Sequence, residues 1–552
     1  MLIIMKTIIP TMFMKKNKLN YVIIFLSILF ISPDLFPQTV YSSTTDGIYK
    51  YLNDMSIKGY INFDNSIQPL SRKYLLQKIK ELDVYMSKLN EIDSQLKDFY
   101  QKEFGLELNL DRKISDNEIY WVKDKYRRFR LLSYSSDLFK INVDPILGIS
   151  FGKFNGNNVY HRWNGLKFYG YLNSSIVFSF YFRDNLESTT LADFNDKNTP
   201  ATGIITTRKD INSLEYDDVR VNISYDWKWG QLSVGKDFLN WGYGENGKVV
   251  LSNKTPSFPN VKLDIYPTPW LKFNYMHGWL KSNLVDSLNI RGQKETYRNK
   301  FIAFHSISII PSKKIEFSLG ESIVYSDQLE FSYLIPIMFF RLADHYLANS
   351  TNTFGGNAQF FFSMSFKNII KNVNFYTDLF IDDITIPKIL KSNNNNKVGY
   401  TLGLKTVDLP IQNIYLNIEY TKVVASVYEH SIEGQDYKSS GYYLGHWIGS
   451  NADMIFSSIN YRFSRELQAT LWGQYIRKGF IANNKLSNIP PSFLSGLRTS
   501  STFFGIDIKY EFIHELFARA KFLYHKISSE QTNGTFIDNS TTEFNIAVYY
   551  GL

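Results

Sequence analysis

The sequence predicts a transmembrane β-barrel of about 16–18 antiparallel strands with a small N-terminal α-helical periplasmic domain, and three observations carry that reading. The first is a period of two near the C-terminus. From Phe504, the residues Phe504, Ile506, Ile508, Tyr510 and Phe512 fall on one face, and Asp507, Lys509 and Glu511 on the other. The pattern restarts with Leu516, Ala518, Ala520, Phe522 and Tyr524 against Arg519, Lys521 and His525, and the last strand aligns Phe544, Ile546, Val548, Tyr550 and Leu552. One apolar face and one charged face suit lipid outside and water inside; a bilayer leaves no sheet edge unpaired, so the sheet closes. The second observation is composition. Aromatics make up 16 % of 552 residues, yet mean hydropathy is −0.22, and beyond the N-terminus no apolar run reaches the roughly 18 residues of a spanning helix. The third is that tight turns alternate with long polar connections, the asymmetry of outer-membrane barrels.

The N-terminus reads as a secretory signal. Lys15, Lys16 and Lys18 precede an apolar run from Tyr21 to Ser32, then Pro33 and a polar stretch. The run is too short to span a bilayer, which weighs against a membrane anchor. Cleavage is expected between Pro37 and Ser43, with residues 1–38 as the signal peptide. Its removal takes away four lysines and one aspartate, leaving 57 basic and 51 acidic residues, a net +6. So small a balance gives no support to nucleic-acid binding. The absence of cysteine excludes structural disulfides, thiolate metal sites and a lipidated N-terminal cysteine.

Residues 44–133 are expected to form the periplasmic helical domain. Pro69-Leu-Ser-Arg72 reads as a turn with Ser71 as N-cap; Leu75, Leu76, Ile79, Leu82, Met86 and Leu89 then recur at helical spacing. Ile92, Leu96 and Phe99 mark a second helix ending near Gly105. The basic run Lys123–Arg130 reads as a solvated face or linker, with contact to acidic glycan or lipid as the alternative.

From Phe139 to Leu552 the alternation is nearly continuous and defines the outer-membrane barrel. Val221, Ile223, Tyr225, Trp227 and Trp229 alternate with Asn222, Ser224, Asp226 and Lys228 before a turn at Gly230-Gln231. Ile455, Ser457, Ile459, Tyr461 and Phe463 oppose Ser458, Asn460 and Arg462 before Ser464-Arg465. Longer polar segments occupy Leu186–Asn212, Asp286–Asn299, Leu390–Lys397, Glu429–Asn451 and Gly479–Ser500. The 414 residues after residue 138, at roughly 22–26 per strand and connection, give the strand number.

One stretch breaks the pattern. Asp237-Phe-Leu-Asn-Trp241-Gly-Tyr-Gly-Glu-Asn-Gly247-Lys-Val-Val-Leu-Ser252-Asn253, with Pro256 and Pro259 beyond, places three glycines within six residues, which lets the backbone approach something closely or take positive φ. No Gly-Lys-Ser/Thr follows in phosphate-loop position. The stretch resembles the Wzi-type capsule assembly proteins of the bacterial outer membrane, which carry a Trp-Gly-x-Gly element, a Leu-Ser-Asn element and prolines in this order. Pro69-Leu-Ser-Arg72 before a leucine-rich helix and the Tyr333–Pro336 segment fit the same family. The resemblance implies a barrel with a periplasmic helical domain that binds capsular or related polysaccharide at the surface of a Gram-negative cell, without catalysis.

Sugar binding uses aromatic faces and planar polar or charged groups. The candidate polysaccharide-binding residues are therefore Trp241, Tyr243, Asn246 and Asn253 in the glycine-rich stretch, Arg220, Arg341 beside Asp344, and Trp447 in Tyr442-Tyr-Leu-Gly-His446-Trp447, read as an exposed surface loop. Plugging of the lumen by the glycine-rich corner, ion ladders inside the barrel and an interfacial aromatic girdle are the structural alternatives. Eight histidines lie scattered without metal spacing, no Gly-x-Ser-x-Gly occurs, and Asp382 and Asp383 point to opposite faces. A hydrolase would need a triad gathered from distant strands. The expected protein is a monomeric, non-enzymatic, cofactor-free attachment protein whose partners are surface polysaccharide and outer-membrane lipid. A diffusion porin for sugars or small solutes is the alternative, which an open water-lined pore would favour.

Overall fold

The computed structural model describes residues 47–551 apart from 111–113, 115, 173–175, 287–295, 351–354, 384–395 and 482–490. The expected signal peptide, Leu552 and much of the 286–299, 390–397 and 479–500 segments therefore lie outside the described residues.

The alternating segments form eighteen antiparallel strands: β1 (Phe139–Phe154), β2 (Asn157–Leu172), β3 (Ile176–Ser188), β4 (Ser213–Trp227), β5 (Gly230–Asp237), β6 (Phe258–Thr268), β7 (Leu271–Val285), β8 (Tyr297–Ser312), β9 (Ile315–Ser326), β10 (Asn357–Lys367), β11 (Val373–Asp383), β12 (Lys397–Val407), β13 (Ile414–Val423), β14 (Ala452–Arg462), β15 (Leu467–Phe480), β16 (Leu497–Ile513), β17 (Leu516–Glu530) and β18 (Phe536–Tyr550). Each pairs with its sequence neighbour, and β18 closes on the second half of β1, with Phe544 opposite Lys153 and Tyr550 opposite Leu147. Closure removes the edge that hydrocarbon would penalise. The first half of β1 instead pairs with an appended hairpin, Glu118–Lys123 and Phe129–Ser135.

The predicted faces hold. Phe504, Ile508, Phe512, Phe522, Phe544, Ile546 and Val548 are exposed on the outer wall, as are Val221, Ile223, Ile455 and Ile459. Asp507, Lys521 and Glu543 turn inward, where Lys521 Nζ lies 3.0 Å from Glu543 Oε2. Two-residue turns at 228–229, 269–270, 313–314 and 514–515 mark one end of the barrel, and the long connections 189–212, 238–257, 327–356 and 424–451 the other.

The N-terminal region packs against the short-turn end. It contains α1 (Gly47–Ile57), α2 (Arg72–Glu81), α3 (Glu91–Glu103) and the one-turn α4 (Gly105–Leu108). Ser71 caps α2 by accepting the Tyr74 N–H at 3.3 Å, and Leu75, Leu76 and Ile79 join Leu52, Met55, Phe63, Leu82 and Leu96 in its core. Polar contacts fasten this core to the turns: Lys58 Nζ to Asp408 at 2.7 Å, Asn90 Nδ2 donating to Asn413 at 3.1 Å, and His514 Nε2 to Glu103 at 2.7 Å. The basic run differs from the reading of it as a solvated face. Lys123, Lys125 and Arg127 are exposed, but Arg128 is buried against the Phe99 ring, and Arg130 is 1 % exposed between Asp124, Asp144 and Glu103. The run spans the turn of the hairpin: Lys123 ends its first strand and Lys125 and Arg127 lie in the exposed turn, while Arg128 and Arg130 lead into and lie on the second strand, which faces α3 and β1.

From the long-connection side, α5 (Thr189–Asn198) leaves β3, and α6 (Phe340–Ser350) lies between β9 and β10. The connections 238–257 and 424–451 turn inward and meet Ile67 in one apolar core inside the barrel.

Candidate functional site

The glycine-rich connection after β5 occupies the lumen as a latched plug. Inward-facing carboxylates on two wall strands hold successive backbone amides. Asp378 on β11 accepts the N–H groups of Tyr243 (2.8 Å to Oδ2) and Gly244 (2.9 Å), and Glu419 on β13 accepts those of Glu245 (2.6 Å) and Asn246 (2.9 Å). Lys248 Nζ donates back to the Gly242 and Gly244 carbonyls at 2.7 and 2.9 Å. The geometry requires the glycines: Gly242 sits at φ 118°, where a Cβ would lie 3.0 Å from the Asp378 carboxylate, and Gly247 at φ 134°, where it would lie 2.6 Å from the His446 ring.

The connection also joins the two ends of the molecule. Ile67 and Gln68, rising from the N-terminal region, pair antiparallel with Trp241 and Asn240, and the Gly242 N–H donates to the Ser66 carbonyl at 2.7 Å. The Tyr243 hydroxyl lies 3.3 Å from Asp64 of the N-terminal region and 3.2 Å from Glu316 of the wall. The 424–451 connection then folds over the plug. Tyr428 and Tyr437 donate hydroxyl protons to the Val249 and Val250 carbonyls at 2.6 and 2.7 Å, and the Ser252 hydroxyl donates to the Gly445 carbonyl at 2.6 Å. Burial lowers the His446 imidazole to about 3, so it sits neutral against the plug.

The sequence candidates separate into distinct places. Trp241 (1 % exposed) stacks on Phe304 at 5.2 Å; Tyr243 and Asn246 are buried in the latch; Trp447 (8 % exposed) donates its indole N–H to the Asn246 carbonyl at 2.7 Å. These four come together, with partly exposed Asn253 adjoining them in sequence, but none of the four presents a face to solvent. The expectation that Trp447 is an exposed loop aromatic is thereby corrected: its loop turns into the lumen, where apolar rings escape water. Arg220 is elsewhere on the wall, its guanidinium 3.6 Å from the Tyr181 ring centroid and 3.5 Å from Asp218. Arg341 lies on α6 outside the barrel, its N–H donating to Glu321 at 2.6 Å. Sequence reasoning missed Asp378, Glu419 and Lys248. The available signal was weak: inward acids on wall strands, Asp378 beside Asp382 on β11 and Glu419 on β13, together with a loop of unusual glycine content.

Water-accessible cavities among the described residues include two. One of about 400 Å³ lies in the short-turn half of the lumen, lined by Gln468, Thr470, Trp472, Asp507, Lys509, Arg519 and Tyr549. The other, about 170 Å³, opens at the long-connection rim between β7, β8 and the 424–451 connection. Lys281, Asn283, Lys300, Glu433, Asp436 and Lys438 line it. Lys300 is buried in an ion pair with Asp436, whereas Lys281 is exposed and Lys438 partly so. Their ammonium groups lie 5.6 Å from the Tyr297 ring and 5.0 Å from the Tyr443 ring. Cationic donors in a small polar cleft, each with a tyrosine ring beside its ammonium group, suit a charged or hydroxyl-rich ligand. Among the described residues, Glu103, His514 and Glu515 bring ligand atoms within 4.8 Å of one another, but Arg130 at 3.0 Å from Glu103 and Lys167 at 2.7 Å from Glu515 already supply the countercharge.

A solved structure of similar fold is Wzi of Escherichia coli, described as an outer-membrane protein involved in group 1 capsule assembly and a carbohydrate-binding β-barrel. It is 12 % identical, with a TM-score of 0.56 over 94 % of this chain and 100 % of that one. More distant are the Pseudomonas aeruginosa outer-membrane protein OprD (12 % identity, 75 % of this chain and 93 % of that one, TM-score 0.41) and OpdK with vanillate (9 %, 75 % and 98 %, TM-score 0.43). No curated protein sequence matches the chain. The family model for the capsule assembly protein Wzi matches residues 155–533, which run from the first hairpin of the barrel to its last connection and contain the whole latch. The chain is an outer-membrane β-barrel and belongs to the Wzi capsule assembly family.

Proposed function

We propose that the protein binds capsular or related surface polysaccharide at the long-connection end of the barrel, outside the cell, and helps to hold it there without breaking or forming covalent bonds. The observation that carries this reading is the rim cleft, where Lys281 and Lys438 stand beside Tyr297 and Tyr443. By the rule that short turns face the periplasm, the helical region lies on the periplasmic side and the cleft on the cell surface. The carbohydrate-binding description of the Escherichia coli relative agrees with it. In this account Trp241, Tyr243, Asn246 and Trp447 act indirectly, by fixing the loop that shapes the cleft, and Asn253 belongs to the same support. A porin would need a continuous water path, and the latch together with the 424–451 connection favours a binder instead.

Binding of purified protein to an immobilised acidic capsular polysaccharide tests the reading. Replacing Lys281 and Lys438 together with alanine removes two charge-assisted contacts, so affinity is expected to fall at least about tenfold, and to fall further at low salt than at high salt. Unchanged affinity in the double variant would remove the rim cleft from the account.

A further inference from the structure

The connection between β9 and β10 does something no surface loop needs to do: it descends along the outside of the barrel. Glu321, His305 and His277 point outward from β9, β8 and β7, on the same face as the lipid-exposed Leu319 (61 % exposed). Glu321 is the seventh residue of a strand that starts at Ile315. That is about 20 Å along the strand, or roughly 15 Å of height at a tilt of about 40°, more than half way up an apolar band about 25 Å tall. A bare carboxylate at that depth is among the costliest groups a lipid-facing wall can carry.

The connection covers it. The first two amides of α6 donate to Glu321, Phe340 N–H at 2.8 Å to Oε2 and Arg341 N–H at 2.6 Å to Oε1, while His305 Nε2 lies 3.4 Å from Oε2. His277 Nε2 meets the Tyr325 hydroxyl at 2.7 Å, and the Tyr275 hydroxyl donates to the Tyr333 carbonyl at 2.9 Å. Glu321 and His277 are left 2 % and 1 % exposed. The helix N-terminus and the carboxylate thus satisfy each other, as a non-aqueous setting demands of backbone donors. The opposite surface of the connection is apolar and uncovered: Phe331 (75 % exposed), Ile335, Ile337 (83 %), Phe339, Leu342 (65 %) and Tyr346. Pro336, between the exposed Ile335 and Ile337, has no N–H to leave unpaired.

We propose that residues 329–347 form a strap embedded in the outer leaflet, with lipid acyl chains as the partner of its exposed apolar face. The face continues the lipid-contacting wall around Leu319, and the buried Glu321 contact sets the strap's depth. The strap widens the barrel's lipid footprint on the flank directly beneath the rim cleft.

The absence of native cysteine permits a direct test. Single variants Ile337→Cys and Leu342→Cys, nitroxide-labelled and reconstituted in phosphatidylcholine vesicles, report collision with oxygen, which concentrates in hydrocarbon, and with a water-soluble nickel chelate. Leu319→Cys on the bare wall and Asn533→Cys in the β17–β18 turn are the lipid and water references. Both side chains are exposed, so labelling leaves the packed face intact, and heat-modifiable mobility on gels verifies folding. The oxygen-to-nickel ratio at both strap positions is expected to match Leu319→Cys. A ratio like that of Asn533→Cys places the strap in water and overturns the proposal; protection from both reagents means that protein, a second copy included, covers the face, and overturns it equally.

Discussion

An Asp378→Ala/Glu419→Ala double variant is expected to conduct ions in planar bilayers, and the unmodified protein to show no steady channel. The two carboxylates accept four backbone N–H groups of the plug, from Tyr243 to Asn246, and Tyr376 donates its hydroxyl to Glu419 at 2.8 Å. Each buried donor left without an acceptor costs about 1–3 kcal/mol, so for the four amides unlatching totals on the order of 4–12 kcal/mol, less what the loop recovers by taking up water. The wall strands lose nothing of their ladder hydrogen bonds, so the barrel stays folded and only the plug is released. Asp378→Asn with Glu419→Gln keeps one carbonyl acceptor at each position and should give rarer openings. A silent double variant would mean that the 424–451 connection and the pairing of Ile67 and Gln68 with Trp241 and Asn240 suffice to hold the plug.

Arg130→Met is expected to free the helical region from the barrel. The guanidinium contacts Asp144 at 2.9 Å, Glu103 at 3.0 Å and Asp124 at 3.3 Å, and is 1 % exposed. Removing one partner of a buried ionic network leaves carboxylates uncompensated, at a cost of about 3–5 kcal/mol. If proteolysis samples local opening, cleavage between α1 and α4 should accelerate on the order of 10²-fold or more, while the heat resistance of the barrel is retained. Lys125→Ala, on the exposed part of the same basic run, is the control and should leave the rate unchanged. Equal rates for Arg130→Met and the unmodified protein would show that the remaining contacts, Lys58 with Asp408 and Asn90 with Asn413 among them, suffice.

The barrel was legible because its signal is one-dimensional. A strand in lipid must alternate, so Phe504, Ile506 and Ile508 against Asp507 and Lys509 state both the local structure and the solvent on each side. Ser71 was legible for a similar local reason: an N-cap and its helix lie within four residues. Loop direction was not legible. Trp447 reads as an exposed loop aromatic and Arg341, beside Asp344, as a candidate ligand contact, yet the loop of the first turns into the lumen and that of the second runs down the outer wall. What decides between them is a partner distant in sequence, Asn246 for Trp447 and Glu321 for Arg341. Asp378 and Glu419 were hidden for the complementary reason. An inward acid on a barrel strand looks like ordinary lumen lining until the loop that needs it is in place. The glycines showed that the backbone of residues 242–247 approaches something closely, but not that the thing approached is the protein itself.

The central claim, that the protein retains polysaccharide at the cell surface, is tested most directly by deleting its coding region and measuring polysaccharide on intact cells and in the culture medium. The account predicts an unchanged total with the cell-bound share lost to the medium, restored by the unmodified gene and not by the Lys281→Ala/Lys438→Ala variant at equal protein level. Full surface retention in the deletion strain would contradict it.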